Sequence, residues 1–300
     1  MYAIIQTNFN GIDALTIRTD YPKPAVTPND VLIKMTVLPV VPTDWKRESN
    51  PNATTEQLAD LPRIIGVGGV GTIVAVGDNR DPQLLNQRVL VMNPSGSYSE
   101  YVLSENPNFI FPLPNIVTNE SAAALTAGPG TALTLKHEID QSTARHIVIT
   151  GANSVIGLYL LQMLQTDSRQ IWPIVSPNSQ TYFQQQMPTI KAYTAEELPT
   201  IEADSLIIDI AGSVPLLDQL TQYFPHNQIV SIVLMHADFN QPIKFVHEDF
   251  NADDYRHFIQ QLVTGELVAP IDRTFPITAI KTAQHYAQDT HSRGRVLVTF

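Results

Sequence analysis

The sequence predicts an α/β protein: a doubly wound parallel sheet in the middle of the chain, joined to a β-rich, partly closed barrel. Three observations predict it. Residues 146–164 read as a buried strand, a glycine turn and a buried helix. From there on, short apolar runs alternate with helical segments, the pattern of a parallel sheet covered on both faces. Ahead of it, residues 1–115 hold many short β-branched runs separated by Pro, Asn, Gly and Asp, which reads as strands closing part of a barrel.

The corner at 146–164 organises the rest. HIVIT (146–150) is a β-branched apolar run of the kind buried on both faces of a sheet. Gly151 permits a tight turn, and LYLLQML (158–164) has the composition of a buried helix. Gly157 falls where that helix begins and must lie close to the strand. Such a corner suits a pyrophosphate, because a helix N-terminus presents free N–H groups and partial positive charge. The usual pattern has three glycines. Here Gly151 and Gly157 remain, with Ala152, Asn153, Ser154, Val155 and Ile156 between them. Asn and Ser tolerate tight backbone and offer polar side chains to phosphate.

Composition narrows the class of function. With 300 residues and 43% apolar content, the chain can build two domains with sizeable cores. A net charge of −11 argues against nucleic acid and anionic membranes as partners. The absence of cysteine excludes disulfides and a thiolate zinc site, and it fits a reducing compartment. No run approaches the roughly 20 apolar residues of a membrane span. The opening MYAIIQTNFNG lacks the basic and apolar regions of a signal peptide. The expectation is a cytoplasmic protein with no membrane partner.

Strands are expected at MYAIIQT, ALTIRTD, DVLIKMTVLPVV, GVGTIVAVG, QRVLVM and GSYSEYVLS. The glycines from Gly66 to Gly77 read as close packing and bulges in preference to a phosphate loop, since no helix follows them directly. Thr118 or Asn119 caps a helix through ESAAALTAG. Gly128, Pro129 and Gly130 break the chain before a second helix, and Thr131 near its start reads first as a capping hydroxyl. In the middle region QIWPIVS, SLIIDIAG and QIVSIVLM are strands, with helices at TYFQQQM and VPLLDQLTQYF. DDYRHFIQQLVTGEL and FPITAIKTAQHYAQD are further helices, and RVLVTF is a last strand.

This order of parts resembles the medium-chain dehydrogenase/reductase superfamily, in its zinc-independent quinone oxidoreductase-like branch. VPTDWK (41–46) is similar to that branch's N-P-x-D-W-K. IIGVGGVGTIVAVG (64–77) and NQRVLVMNPSGSYSEYV (86–102) follow its next two segments, and ITGANSVIG its nucleotide corner. The resemblance covers nearly the whole chain. It implies a Rossmann domain at 118–265, and a GroES-like catalytic domain made from 1–117 and 266–300. Zinc-dependent members carry ligands where this chain has Val41, Val67 and Gly68, none of which donates a metal bond through its side chain. No metal is therefore expected.

The cofactor expected is NADPH. NAD binders of this kind usually end the second strand on an acid that takes the ribose 2′-OH. Here IWPIVS runs into Pro177, Asn178, Ser179 and Gln180, with no carboxylate until Glu196. Ser176 and Asn178 are either a polar turn or donors to a 2′-phosphate. The resemblance adds Tyr193, with Lys191 close by. Ala211 and Gly212, ending SLIIDIAG, complete the cofactor set with Thr131 and residues 151–157.

Rival chemistries lack their residues. No tyrosine has a lysine four positions on, as a short-chain dehydrogenase needs, and no G-x-S-x-G occurs. Hydride transfer to a small-molecule electron acceptor, a quinone or conjugated carbonyl, remains. The resemblance places Val41, Asp44, Lys46 and Thr131 near the acceptor, although Asp44 and Lys46 read equally as a solvated turn or an ion pair. No catalytic acid stands out. The alternatives are an NADPH-dependent enoyl or alkenal reductase, and a non-catalytic NADPH-binding regulatory protein. A homodimer is expected through the run IVSIVLMHADFNQPIKFV, which includes an edge of the parallel sheet.

Overall fold

A computed structural model describes every residue except Ala237, His291 and Ser292. In chain order the first elements are β1 (Ala3–Gln6), β2 (Thr16–Arg18), β3 (Val31–Val40), α1 (Pro42–Glu48), α2 (Thr55–Ala59), β4 (Arg63–Ile64), β5 (Gly68–Val76), β6 (Arg88–Met92), β7 (Tyr101–Ser104), β8 (Ile110–Pro112) and α3 (Asn119–Ala124). The middle holds α4 (Pro129–Gln141), β9 (His146–Thr150), α5 (Val155–Met163), β10 (Gln170–Ile174), α6 (Gln180–Gln186), β11 (Ser205–Asp209), α7 (Val214–Tyr223), β12 (Asn227–Ser231) and β13 (Ile243–Phe245). The chain ends with α8 (Ala252–Thr264), β14 (Ile271–Pro276), α9 (Ile280–Asp289) and β15 (Arg295–Thr299). These elements form two compact units, one from residues 1–127 and 251–300, the other from 128–250.

The first unit is built on β3. Its buried residues Val31, Ile33, Met35, Leu38 and Val40 enter one core with Ile73, Val89, Val91, Tyr98 and Val296. One side of β3 pairs with β5. On the other side, Val31–Lys34 pair with β7 and Val37–Val40 with β15. The register with β5 shifts between Leu32 and Ile33 and again between Met35 and Val37. Changing neighbours halfway along a strand, with bulges at the change, curves a sheet without sealing it. The GroES-like barrel is accordingly only partly closed. Gly68, Gly69 and Gly71 lie in β5, where an added Cβ would stand 2.3–2.6 Å from backbone oxygens of Val91, Val37 and Lys34. These glycines serve close strand packing, as their sequence context suggests.

RVLVTF is a strand of this first sheet, antiparallel to β3 and parallel to β14. Two helices lie differently from the expected boundaries at 117 and 266. Both α3 and α8 fall in the first unit. Ala122, Ala123 and Ala124 of α3 are fully buried, and the helix contacts β3, β5 and β15. Tyr255 of α8 stacks on Phe111 with ring centres 5.7 Å apart. Neither packing partner is visible in the local sequence.

The second unit is a parallel sheet in the order β10-β9-β11-β12-β13. Beyond β10, Tyr193 forms a single parallel rung, its N–H donating to Pro173 O and its carbonyl accepting from Val175 N, both at 2.9 Å. Counting that rung, the strands run third-second-first-fourth-fifth-sixth, the Rossmann order, which reverses between β9 and β11. Val148, Ile207 and Ile229 form the centre of the core under α7, closed by Trp172, Leu217, Leu220 and Phe224.

Candidate functional site

The reversal between β9 and β11 creates the crevice where such sheets hold ligands. Gly151 turns the chain out of β9 at φ +61°. Ser154 then caps α5, its Oγ accepting from Gly157 N at 3.1 Å. Gly157 has no room for a side chain: a Cβ there would lie 2.6 Å from Ala152 O and 2.7 Å from Gly151 O. Val155 and Ile156 occupy the first turn of α5, so their N–H groups have no acceptor inside the helix. That turn fits a pyrophosphate in its donors and in the dipole behind them.

The strand tips around this corner are fixed by a polar network that sequence reading missed. Asp209, fully buried, accepts from Thr150 Oγ1 at 2.8 Å, Ser231 Oγ at 2.8 Å and Gly212 N at 3.0 Å. Thr150 Oγ1 in turn accepts from Ile210 N and Ala211 N, both at 3.1 Å. Ser231 Oγ accepts from Val233 N and Leu234 N. The signal lay in polar residues ending three apolar strands, HIVIT, SLIID and NQIVS, where burial demands partners. The N–H groups of Ala211 and Gly212 are therefore spent within the protein. What this pair offers a ligand is carbonyl oxygen and close approach.

At the edge of the sheet, Ser176 is exposed and its hydroxyl donates to Ser179 Oγ at 3.0 Å; Asn178 is also exposed. Tyr193 pairs alongside residues 173–175, so it borders the Ser176 turn. Lys191 Nζ sits 4.5 Å from the centre of its ring, which brings a cation to this edge. Glu197 also approaches: its carboxylate accepts from Thr194 N at 2.8 Å and Gln180 Nε2 at 3.2 Å. Hydrogen bonds from Thr194 hold that carboxyl below its ordinary range. Further along the same unit, Thr131 Oγ1 donates to Glu248 Oε2 at 3.0 Å, and the Glu248 carboxylate fills the space where Gly130 would carry a side chain.

In the first unit, α1 follows directly from β3 and aims its residues in opposite directions. Asp44 is buried, and its Oδ2 accepts from Val41 N at 2.9 Å. Tyr98 Oη lies 2.8 Å from the same oxygen and 2.6 Å from Pro39 O. A phenol has one proton, so both contacts are hydrogen bonds together only when Asp44 carries a proton of its own. Burial pushes the Asp44 carboxyl up to about 6, against the pull of these hydrogen bonds and of Arg295. Lys46 faces solvent two residues on, and no Asp44–Lys46 ion pair exists among the described residues. Val41 is buried, with its backbone engaged by Asp44.

One turn further, Glu48 is 1% exposed. Its Oε1 accepts from Gln284 Nε2 at 2.9 Å, while its Oε2 is buried without a partner. Burial, reinforced by Asp44, pushes this carboxyl up to about 7. Asp44 and Glu48 line a cavity of about 400 Å³ with Arg47, Arg63, Asp60 and Gln6. No sequence signal singled out Glu48 or the arginines. Among the described residues no group of three His, Asp or Glu side chains is placed to hold a metal ion, and no helix is long and apolar enough to cross a membrane.

Residues 27–115 match the family described as the alcohol dehydrogenase GroES-like domain. The chain is 28% identical over 173 residues to the quinone oxidoreductase of Rattus norvegicus, covering 57% of this chain and 51% of that protein. It is 28% identical over 163 residues to the mitochondrial enoyl-[acyl-carrier-protein] reductase of Arabidopsis thaliana, covering 54% and 42%. The matched stretch thus spans about half the length of these curated relatives. The quinone oxidoreductase structure from Coxiella burnetii superimposes with a TM-score of 0.77 at 16% identity, over 100% of this chain and 99% of that one.

Proposed function

We propose that the chain is a medium-chain dehydrogenase/reductase and, within that superfamily, a zinc-independent, NADPH-dependent reductase of a quinone or similar conjugated carbonyl; the GroES-like family match over residues 27–115 and the 28% identity to quinone oxidoreductases support this. The observation that carries this reading is the corner from Gly151 to Gly157, whose first-turn N–H groups and missing side chain fit a dinucleotide. When bound, the nicotinamide supplies the hydride. The protein's part is positioning: the Asp209 network keeps the tips of β9, β11 and β12 in place, and α5 neutralises pyrophosphate charge. Ser176, Tyr193 and Lys191 are the groups offered to the 2′-phosphate, with no acidic residue at the end of β10 to repel it. Quinone reduction asks for little else, since solvent can protonate the product.

The test is oxidation of NADPH and NADH with a panel of quinones, alkenals and an enoyl thioester, before and after exhaustive chelation. Faster oxidation with quinones and NADPH, unaffected by the chelator, is expected. Turnover of the thioester alone would replace the reading with an enoyl reductase, the activity named for the Arabidopsis thaliana relative. No turnover with cofactor still bound would leave a regulatory NADPH-binding protein.

The homodimer belongs to the same proposal. β13 is the last strand of the parallel sheet, with its outer edge unpaired among the described residues. Val233 and Met235, in the connection leading to it, are exposed apolar residues. Light scattering is expected to give twice the chain mass.

A further inference from the structure

Within the reading that this chain reduces a small acceptor, we propose that the cavity beside α1 takes an acceptor bearing an anionic group, bound by Arg47 and Arg63. Neither guanidinium makes an ion pair among the described residues. Arg63 spends its Nε on Gln6 Oε1 at 3.0 Å, and Gln6 is otherwise held by Asn8 O and Arg47 O. The remaining forks of both arginines are uncommitted. They also lie near one another: burial, and then repulsion by Arg47, lower the Arg63 guanidinium from its ordinary range. Two like charges brought together at a cavity call for an anion between them, and a guanidinium fork matches the oxygens of a carboxylate, sulfonate or phosphate.

The acids of the cavity offset part of this charge without taking up the guanidinium donors. Asp44, whose Oδ2 is engaged by Val41 N and Tyr98, acts on Arg47 through its charge alone. Asp60, exposed at the end of α2, also acts on Arg63 through its charge, with no ion pair between them among the described residues. Glu48 is buried with one oxygen unmatched, and holds its proton up to about neutral pH. The groups facing it are Asp44 and Arg47 on α1, Arg63 on β4 and Gln284 on α9. Lys281 and His285 of α9 turn instead to Asp13. The unspent hydrogen-bonding capacity of the cavity is therefore mainly donor capacity.

The binding probe is 2-naphthoate, with its neutral amide 2-naphthamide as control, titrated by calorimetry into the whole chain. At about pH 6.5 the carboxylate is expected to bind at least about tenfold tighter than the amide. Arg47→Gln and Arg63→Gln should each remove most of that preference and leave the amide unchanged. An anion beside Glu48 makes its ionisation harder still, so naphthoate binding should take up protons and tighten as pH falls through 7. Glu48→Gln should reduce the proton uptake and leave the share of Asp44, which titrates near 6 in the same cavity. Equal affinity for acid and amide, or naphthoate binding indifferent to the arginines, overturns the proposal. Should Arg63→Gln fail to fold, the exposed Arg47 decides alone.

A kinetic arm separates this from the reading it rests on. 1,2-Naphthoquinone-4-sulfonate should exceed 1,2-naphthoquinone in kcat/KM by at least about tenfold, through KM. Turnover of both quinones without preference, together with equal naphthoate and amide binding, removes the inference and leaves the reductase. Arginine-dependent naphthoate binding without turnover of any acceptor removes the reductase and leaves the site.

Discussion

Asp209 and Glu48 are both carboxyls taken out of water, at 0% and 1% exposure, and the protein treats them in opposite ways. Asp209 ends a central strand and accepts three hydrogen bonds, from two hydroxyls and a backbone N–H. Glu48 ends a short surface helix and accepts one, with its second oxygen bare. Burial is the same in both; coverage is not. A fully covered carboxylate is a brace whose charge is shared among its donors. A half-covered one keeps its proton to about pH 7. The same side-chain chemistry thus builds a scaffold in one unit and a titrating group in the other.

The largest effect should come from breaking the brace. Asp209→Ala leaves the Gly212 N–H and two hydroxyls without their acceptor in a buried site. We expect a loss of roughly 3–5 kcal/mol in urea denaturation, because an unmet buried donor costs about 1–3 kcal/mol. A loss below about 1 kcal/mol would mean that water or a shift of the strand tips replaces the carboxylate.

Glu48 should respond to pH. Its folded carboxyl titrates near 7, above an ordinary value of 4.5, so between those limits the folded chain holds a proton that the unfolded chain has released. Stability from this group is complete below pH 4.5 and falls as pH rises to about 7, by about 3 kcal/mol at most. Glu48→Gln keeps the amide partner and removes the ionisation. It should flatten that part of the pH profile and be more stable than the parent above pH 7. Identical pH profiles for the two proteins would show that Glu48 is ionised in place.

The contrast also explains what the sequence reveals. Most of the Rossmann sheet is legible because β9, β10, β11 and β12 each hold an apolar run, and the glycines of the corner mark where backbone approaches backbone; β13, IKF with Lys244 exposed at its centre, is not. α1 is not legible, since VPTDWKRE reads as a polar turn after a strand, and only the fold shows that Asp44 and Glu48, four residues apart, share its buried face. β14 is hidden because IDRTFP carries two charges and ends in proline, and its strand character comes from pairing with β15. The Tyr193 rung is a strand of one residue, below what any periodicity can register. Arg47 and Arg63 escape for a further reason: they come from different elements, α1 and β4, and meet only through tertiary structure.

A smaller effect should follow at the sheet edge. Ser176→Asp places a carboxylate beside Tyr193 and Lys191, where it would repel a 2′-phosphate and accept from a ribose hydroxyl. The parent should favour NADPH by roughly tenfold to a hundredfold, the worth of one or two hydrogen bonds with a screened contribution from the Lys191 cation, and the variant should favour NADH. Titrating both cofactors into both proteins measures this. Equal affinities in the parent, or an unchanged ratio in the variant, would move the phosphate elsewhere.

The smallest effect separates a cap from a ligand contact. Ser154 Oγ accepts from Gly157 N at 3.1 Å, so one lone pair serves the helix while the O–H stays a donor. Ser154→Ala should cost about 1 kcal/mol of stability, the ordinary worth of a serine N-cap. In the proposed binding mode the pyrophosphate is met by the first-turn N–H groups of Val155 and Ile156 and by the helix dipole, none of which the substitution removes. Cofactor affinity should therefore fall by less than about threefold, under 1 kcal/mol. The corner would then resemble Asp209 more than Glu48, with its polar side chain spent on structure and its backbone left for the ligand. Titration of NADPH into Ser154→Ala at a temperature where both proteins are folded tests the point. A loss of affinity above about tenfold would assign the hydroxyl proton to the phosphate, donated while Oγ still accepts from Gly157 N.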